Sequence, residues 1–148
     1  MPKLPEPREE FIEMAILEFL MLHKVFVWHN DVKWYYNEKK GHYQRNKNNF
    51  VRTGISDIGG VIRPDGIHLA IEVKKPSEMA FFDRSMKELE NQMKLASVRG
   101  VKDLKKYSHA IEQRSYLDGV LENWGVAFFA SSIDEVIQRL QESWINIS

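Results

Sequence analysis

Hydrophobic side chains along this chain recur at two spacings, one typical of helices and one typical of strands. Apolar residues from Phe11 to Leu20 follow the helical spacing and predict a first helix over roughly 8–23, and a β-branched and aromatic run predicts a strand over 25–28. The polar stretch over 30–52 predicts a long loop. Farther along, the pattern predicts a hairpin over 57–75 and two long helices over 77–98 and 104–121. A buried strand over 125–130 and a last helix from Ser132 onwards follow. The alternation of helices and strands indicates an α/β protein.

The predicted hairpin places three charged residues on one face of a sheet. With a turn over 64–66, Gly59 is expected opposite Glu72 and Asp57 opposite Lys74. Because side chains alternate along a strand, Asp57, Glu72 and Lys74 then share a face, and the small glycine leaves a cleft beside Glu72. The opposite, core-facing side receives the apolar residues of the hairpin, which are Ile58, Ile62, Ile71 and Val73.

Two carboxylates beside a lysine on a half-buried face indicate either a cross-strand salt bridge or a metal site. Unpaired charge in such a place is costly, and a divalent cation would neutralise it. Asp57 and Glu72, with the Val73 carbonyl, offer the hard oxygen ligands that Mg²⁺ or Mn²⁺ prefers. Lys74 would then orient or deprotonate an attacking water, or stabilise negative charge in the transition state. This is the chemistry of phosphodiester hydrolysis.

The same residues resemble the motif of the PD-(D/E)xK nuclease superfamily. Asp57 follows Ser56, and Glu72-Val73-Lys74 forms the (D/E)xK element after fourteen intervening residues. Within that superfamily the chain is most similar to the virus-type replication-repair nuclease (VRR-NUC) group of phage and bacterial proteins, through three further stretches: VFVWHN, FVRTGISDIGGV and QRSYLDGVLENWGVAFFASSIDEV. Ser56 stands where the motif has proline. The resemblance implies a restriction-endonuclease-like αβββαβ core with a mixed sheet, an inserted helix and a C-terminal helix.

The resemblance also implies roles for residues outside the hairpin. Gln113 matches the glutamine that leads the helix after the hairpin, although Gln92 is an alternative. The first helix is expected to carry one acidic metal ligand, for which Glu13 is the first choice and Glu9 the second. The segment over about 77–100 has no counterpart in compact members and is expected to be a helical insertion.

Size and composition restrict the class of protein. At 148 residues, with 43% hydrophobic and 28% charged residues, the chain is expected to form one globular domain over 1–148. Its hydrophobic runs are too short for a membrane span, and it has no cysteine and no apolar run like a signal peptide near its start. We therefore expect a cytoplasmic protein, encoded by a phage or a bacterium as the resemblance implies.

The net charge of zero conceals opposed patches. Residues 33–52 contain six basic residues against Glu38 alone, whereas 6–18 and 118–142 are acidic. The basic stretch is rich in aromatic residues, so this loop over 31–52 is expected to contact DNA phosphates and bases, the alternative being a solvated charged loop. The expected DNA contacts are Lys39, Lys40, Arg45, Lys47, Arg52 and Lys75.

Together these patterns predict a Mg²⁺- or Mn²⁺-dependent DNA endonuclease. The resemblance to resolvase-like nucleases implies a structure-selective enzyme that acts on branched DNA, such as a Holliday junction, as a homodimer or higher oligomer. Two alternatives remain open, a sequence-specific endonuclease of restriction or homing type and a non-catalytic DNA-binding module that keeps the fold.

Overall fold

The computed structural model describes residues 2–30, 34–45 and 54–147 of the chain. Within these residues it contains five α-helices, six strands and a 3₁₀ turn. The helices are α1 (Glu9–Leu22), α2 (Met79–Phe82), α3 (Met86–Val98), α4 (Lys105–Glu122) and α5 (Ile133–Glu142), and the 3₁₀ turn is Pro76–Glu78. The strands are β1 (Phe26–His29), β2 (Trp34–Asn37), β3 (His42–Arg45), β4 (Ile58–Ile62), β5 (Ile67–Val73) and β6 (Val126–Ala130).

Four of the strands form a mixed sheet in the order β1-β4-β5-β6. The first two neighbouring pairs are antiparallel, and β5 and β6 run parallel. A parallel neighbour requires a crossover connection, which the helices between residues 74 and 125 provide. The α/β class and the mixed sheet predicted from the sequence are confirmed, and no described helix is both long and apolar enough to cross a membrane.

The sheet is covered by helices on both faces. On one face, Ile16 and Leu20 of α1 and Leu140 of α5 pack against the strand residues in the first core cluster. On the other face, α2, α3 and α4 pack against smaller strand residues such as Ala70 and against Phe129. The four isoleucine and valine positions expected to face the core are fully or almost fully buried, which confirms the predicted faces of the hairpin: Ile58, Ile62, Ile71 and Val73.

The pairing of β4 with β5 differs from the prediction by two residues. Ile58 pairs with Ile71, so Gly59 lies opposite Ala70 and not opposite Glu72. The reason is the turn, which takes in all of 63–66 and closes with Gly66 N–H donating to the Ile62 carbonyl at 3.0 Å. An even shift keeps every side chain on its predicted face.

The predicted cleft at Gly59 is also wrong. A Cβ atom at this position would lie 2.6 Å from the Trp28 indole nitrogen. The absence of a side chain therefore makes room for Trp28 on the neighbouring strand.

The segment predicted as one long loop contains two strands. The predicted loop over 31–52 contains the antiparallel ribbon of β2 and β3, in which Tyr36 pairs with Tyr43 and Gly41 takes a positive φ of 66° in the turn. Aromatic residues favour strands, and the density of charge in this stretch concealed that preference. Lys47 and Arg52, two of the expected DNA contacts, lie outside the described residues.

The predicted inserted helix is likewise not continuous. After the 3₁₀ turn and α2, the chain leaves helical geometry at Asp83, and Ser85 begins α3 by accepting a hydrogen bond from the Glu88 amide at 3.2 Å. A serine in this position competes with helix continuation because its side chain satisfies an amide that a helix start leaves unpaired. Phe82 therefore belongs to a short helix of its own.

Candidate active site

Asp57, which directly precedes β4, lies beside Glu72 near the end of β5. Continuing the register beyond the Ile58–Ile71 pair sets Asp57 opposite Glu72. The Val73 amide donates a hydrogen bond to Oδ2 of Asp57 at 2.8 Å, which fixes the carboxylate against β5.

The backbone around Asp57 is held by Asn30, which follows β1. Its backbone amide donates to the Asp57 carbonyl at 2.8 Å, and its side-chain amide donates to the Ser56 carbonyl at 2.9 Å. The buried Ser56 hydroxyl donates to the Ile58 carbonyl at 2.9 Å. These bonds fix the chain where the resembling motif has a proline.

Glu72 and Lys74 are buried beside each other. They are 2% and 5% exposed, and the Lys74 Nζ lies 3.7 Å from Oε1 of Glu72. This distance is too long for a hydrogen bond, so Lys74 acts on the Glu72 carboxyl group only electrostatically. The Lys74 ammonium also lies 4.1 Å from the centroid of the Phe82 ring.

Gln113 on α4 reaches the same place from the opposite side. Its Nε2 donates a hydrogen bond to Oε1 of Glu72 and lies 3.1 Å from Nε2 of His109, one turn earlier on the helix. The amide nitrogen of Gln113 therefore lies between Glu72 and His109. Among the described side chains, the buried oxygens without a hydrogen-bond partner are Oε2 of Glu72 and Oε1 of Gln113.

Burial and, to a smaller extent, the charge of Asp57 raise the pKa of Glu72 from 4.5 to about 9, against the opposing effect of the Lys74 ammonium. In the bare protein this carboxyl group is therefore neutral at pH 7. A cation placed at the partnerless oxygen would reverse that preference, because a bound cation favours the ionised form.

Two acids of α1 lie on the helix face that packs on the sheet. Glu9 and Glu13 are half-buried, and burial is the main cause that raises both pKa values. The Glu13 carboxylate hydrogen-bonds to Nδ1 of His29. Glu9 interacts electrostatically with Lys74 and Asp57.

The donor atoms and the unsatisfied oxygen of these residues decide whether the site fits a divalent cation. Within residues 2–30, 34–45 and 54–147, no three His, Cys, Asp or Glu side chains stand ready to ligate an ion together. Asp57 and Glu72 nevertheless supply two carboxylates, one with a buried partnerless oxygen. The N–H and carbonyl of one strand residue point to the same side, so the Val73 carbonyl is directed towards Asp57. The oxygen donors Asp57, Glu72 and Val73 therefore fit a hard cation.

The structure brings Asp57, Glu72, Lys74 and Gln113 together, as the sequence led us to expect. The expected DNA contacts are more dispersed. Lys39 and Lys40 are exposed on the turn of the β2–β3 ribbon, Arg45 is the last residue of β3, and Lys75 directly follows Lys74.

Sequence reasoning missed the supporting residues of the site. Asn30 lies within the VFVWHN stretch but gave no sign of its hydrogen bonds across the sheet. His29 and His109 show no metal-ligand spacing, and Phe82 follows the helical spacing of apolar residues that is typical of a core-facing helix. These contacts depend on tertiary packing, for which a single sequence carries no direct signal.

Compared with protein-family models, with curated proteins and with solved structures, the chain gives no match in any of the three comparisons. The resemblance to PD-(D/E)xK nucleases therefore stays a prediction based on the motif and on the residues described above.

Proposed function

We propose that this protein is a metal-dependent nuclease that hydrolyses phosphodiester bonds of DNA, with a restriction-endonuclease-like core. The observation that carries the proposal is the buried carboxylate of Glu72, whose Oε2 lacks a partner while Asp57 and Lys74 lie next to it. The element order α1-β1-β4-β5-α4-β6 supports it, because it follows the αβββαβ order implied by the motif resemblance.

A purely structural salt bridge explains the site less well. A buried ion pair offsets the loss of hydration only when its geometry is good and its remaining oxygens are hydrogen-bonded. Here the Lys74 Nζ is 3.7 Å from the nearer oxygen of Glu72, the second oxygen has no described partner, and the raised pKa keeps Glu72 neutral at pH 7 unless a cation is bound. The pair is costly as a stabilising device, and such arrangements are concentrated at functional sites.

Asp57, Glu72 and the Val73 carbonyl would hold Mg²⁺ or Mn²⁺, with Glu13 or Glu9 of α1 as a further ligand. When bound, the cation would act as a Lewis acid that lowers the pKa of water and neutralises charge on the phosphate. The Val73 amide orients Asp57 through its hydrogen bond at 2.8 Å.

Lys74 and Gln113 would supply the remaining functions. The Lys74 ammonium is fixed near Glu72 and would orient the attacking water and stabilise the negative charge that develops at phosphorus. Gln113 holds Glu72 by donating to Oε1, which leaves Oε2 as the oxygen available to a ligand.

The proposed partner is DNA, with a branched structure as the favoured substrate and a second copy of the chain to cut the two strands symmetrically. The exposed turn that carries Lys39 and Lys40 supports a contact with phosphates. The homodimer rests on the resemblance alone.

Purified protein incubated with four-way, nicked and linear DNA, each in Mg²⁺, Mn²⁺ or EDTA, tests the function. Cleavage that depends on metal and is lost in Lys74→Ala supports it, with Lys94→Ala at an exposed position of α3 as the control. The absence of metal-dependent cleavage of every DNA, or full activity in Lys74→Ala, refutes it. Paired symmetric cuts in the four-way junction indicate the structure-selective enzyme, whereas cuts at one sequence in linear DNA indicate a sequence-specific endonuclease.

A further inference from the structure

The segment between β5 and α4 places an aromatic ring against the lysine of the candidate site. Phe82 is the last residue of α2, and its ring centroid lies 4.1 Å from the Lys74 Nζ. Phe82 and Lys74 are each only 5% exposed, so their contact is shielded from water. A cation over the face of a ring is attracted by the negative potential of that face, most strongly when water is excluded.

A ring has a different effect on Lys74 than a carboxylate would have. The ring attracts the ammonium without acting as a directional acceptor, so it need not occupy all three N–H donors. Glu72 also lies beyond hydrogen-bond distance from Nζ, at 3.7 Å. The ammonium is thereby fixed in place, and its N–H donors stay available to a phosphate oxygen that enters the site.

Phe82 is itself fixed by its surroundings. It belongs to the core cluster on that face of the sheet, together with Leu89 and Phe129. Phe81 packs edge-on against it with a centroid distance of 5.0 Å. The next residue, Asp83, accepts a hydrogen bond from Arg139 of α5 at 2.8 Å.

We infer that Phe82 is the positioning residue for Lys74, and that the segment over 76–85 serves the site by delivering this ring. The catalytic consequence rests on the proposed nuclease function, whereas the positioning itself does not. The role of a segment that the sequence marked only as an insertion is then to hold the lysine in its working place.

Phe81 offers a matched control. The Lys106 Nζ lies 4.0 Å from the Phe81 ring centroid and 5.9 Å from that of Phe82, so the same short helix carries a second, neighbouring pair of lysine and ring. Phe81→Leu and Phe82→Leu remove the same ring atoms from adjacent residues, while Phe82→Tyr keeps a ring beneath Lys74.

Nuclear magnetic resonance of lysine-labelled protein tests the positioning without reference to activity. In the wild-type protein the ring should shift the ε-methylene protons of Lys74 upfield. Phe82→Leu should abolish this shift and Phe82→Tyr should keep it. Phe81→Leu, which removes a ring that contacts Phe82, should keep most of the shift because Phe82 stays packed in the core with Leu89 and Phe129. An unshifted Lys74 signal in the wild-type protein, or one that is unchanged in Phe82→Leu, overturns the inference, and the wild-type measurement decides even if a variant does not fold.

Cleavage kinetics test the consequence. Phe82→Leu should lower kcat by about tenfold with KM nearly unchanged, and Phe82→Tyr should retain most of the rate. Thermal unfolding of both leucine variants separates this effect from a general loss of stability. If the wild-type protein cleaves DNA but Phe82→Leu cleaves as fast as Phe81→Leu, the inference fails and the nuclease function stands. If the wild-type protein does not cleave DNA, the nuclease function fails and the resonance shift alone decides the positioning.

Discussion

The side-chain amide of Gln113 donates a hydrogen bond to Glu72 across 41 residues of sequence. Gln113 lies on α4 and Glu72 on β5, so this bond joins the helical layer to the sheet at the point where the acidic residues converge. The bond engages Oε1 of Glu72 and leaves Oε2 available to a ligand. The candidate site thus belongs to the packing between layers as much as to the hairpin.

Gln113→Met is expected to reduce both stability and cleavage. Methionine has a similar length but no donor, so Oε1 of Glu72 loses its hydrogen bond inside the protein. Removing one partner of a buried polar pair costs about 1–3 kcal/mol, which denaturant unfolding in EDTA would measure. Gln92→Met on the exposed side of α3 is the control, and an equal loss of cleavage in both variants would contradict the assignment of Gln113.

Stability without metal should fall as the pH rises, because of Glu72. Its pKa is 4.5 before burial and about 9 in the folded protein, so between these values the folded state binds more protons than the unfolded state. The free energy of unfolding then decreases with rising pH in this window, with a slope of at most about 1.4 kcal/mol per pH unit for one proton. Burial also raises the pKa values of Glu9 and Glu13, so these two groups add to the loss of stability as the pH rises.

Urea unfolding in EDTA across this pH range provides the measurement. Glu72→Gln removes the titrating group and should flatten much of the pH dependence, making the variant more stable than the wild-type protein at the alkaline end. A wild-type protein that becomes more stable from pH 5 to pH 9 would contradict the expected protonation of Glu72.

Mg²⁺ should raise the melting temperature of the wild-type protein and not that of Asp57→Asn or Glu72→Gln. A ligand that binds only the folded state stabilises it by mass action, and these substitutions remove a charged oxygen donor. Asp118→Asn is the control, because Asp118 pairs with Arg114 on the surface of α4 at 2.8 Å. An equal thermal shift in all four proteins would place the cation elsewhere.

The two acids of α1 should differ in importance. Both acids interact with Asp57, but Glu9 also interacts with Lys74, whereas the Glu13 carboxylate is engaged by His29. We therefore expect Glu9→Gln to slow cleavage more than Glu13→Gln. Rates at several Mg²⁺ concentrations compare the two variants, with Glu10→Gln on the exposed side of α1 as the control. A larger defect in Glu13→Gln would make Glu13 the metal ligand, as the sequence first suggested.

Replacement of Lys39 and Lys40 by alanine should weaken DNA binding and reduce its salt dependence. Each lost phosphate contact lowers the slope of log affinity against log salt by about 0.9 for duplex DNA, so the pair should lower it by about 1.8. Lys87→Ala with Lys94→Ala on α3 has the same change in charge and serves as the control. An unchanged slope in the Lys39 and Lys40 variant would remove the β2–β3 turn from the DNA interface.

Much of the fold follows from hydrophobic periodicity. The spacing of Ile12, Ile16 and Leu20 predicted α1, and the alternation along 67–73 predicted which residues of β5 face the core. Asp57, Glu72 and Lys74 could be grouped because strand geometry alone brings them to one face. The wrong register did not separate them, because a shift of two residues leaves every side chain on the same face of the sheet.

The remaining features depend on interactions that periodicity does not encode. The division of 76–98 was decided by Ser85 capping α3, a local competition that a continuous apolar stripe obscures. The ring of Phe82 under Lys74 and the bonds of Asn30 to the Ser56 and Asp57 carbonyls are contacts between distant parts of the chain. A single sequence does not state which distant residues will meet.

The parallel pairing of β5 with β6 has a consequence for how the protein folds. The Lys74 amide donates to the Ala130 carbonyl, so the backbone of the lysine is held by a strand that the chain reaches only after three further helices. Contacts of such long sequence separation form late, because a long loop must close before they are made. The β4–β5 hairpin can fold early without assembling the complete site, and the ability to cut DNA should therefore arise only in the last stage of folding, once β6 has docked.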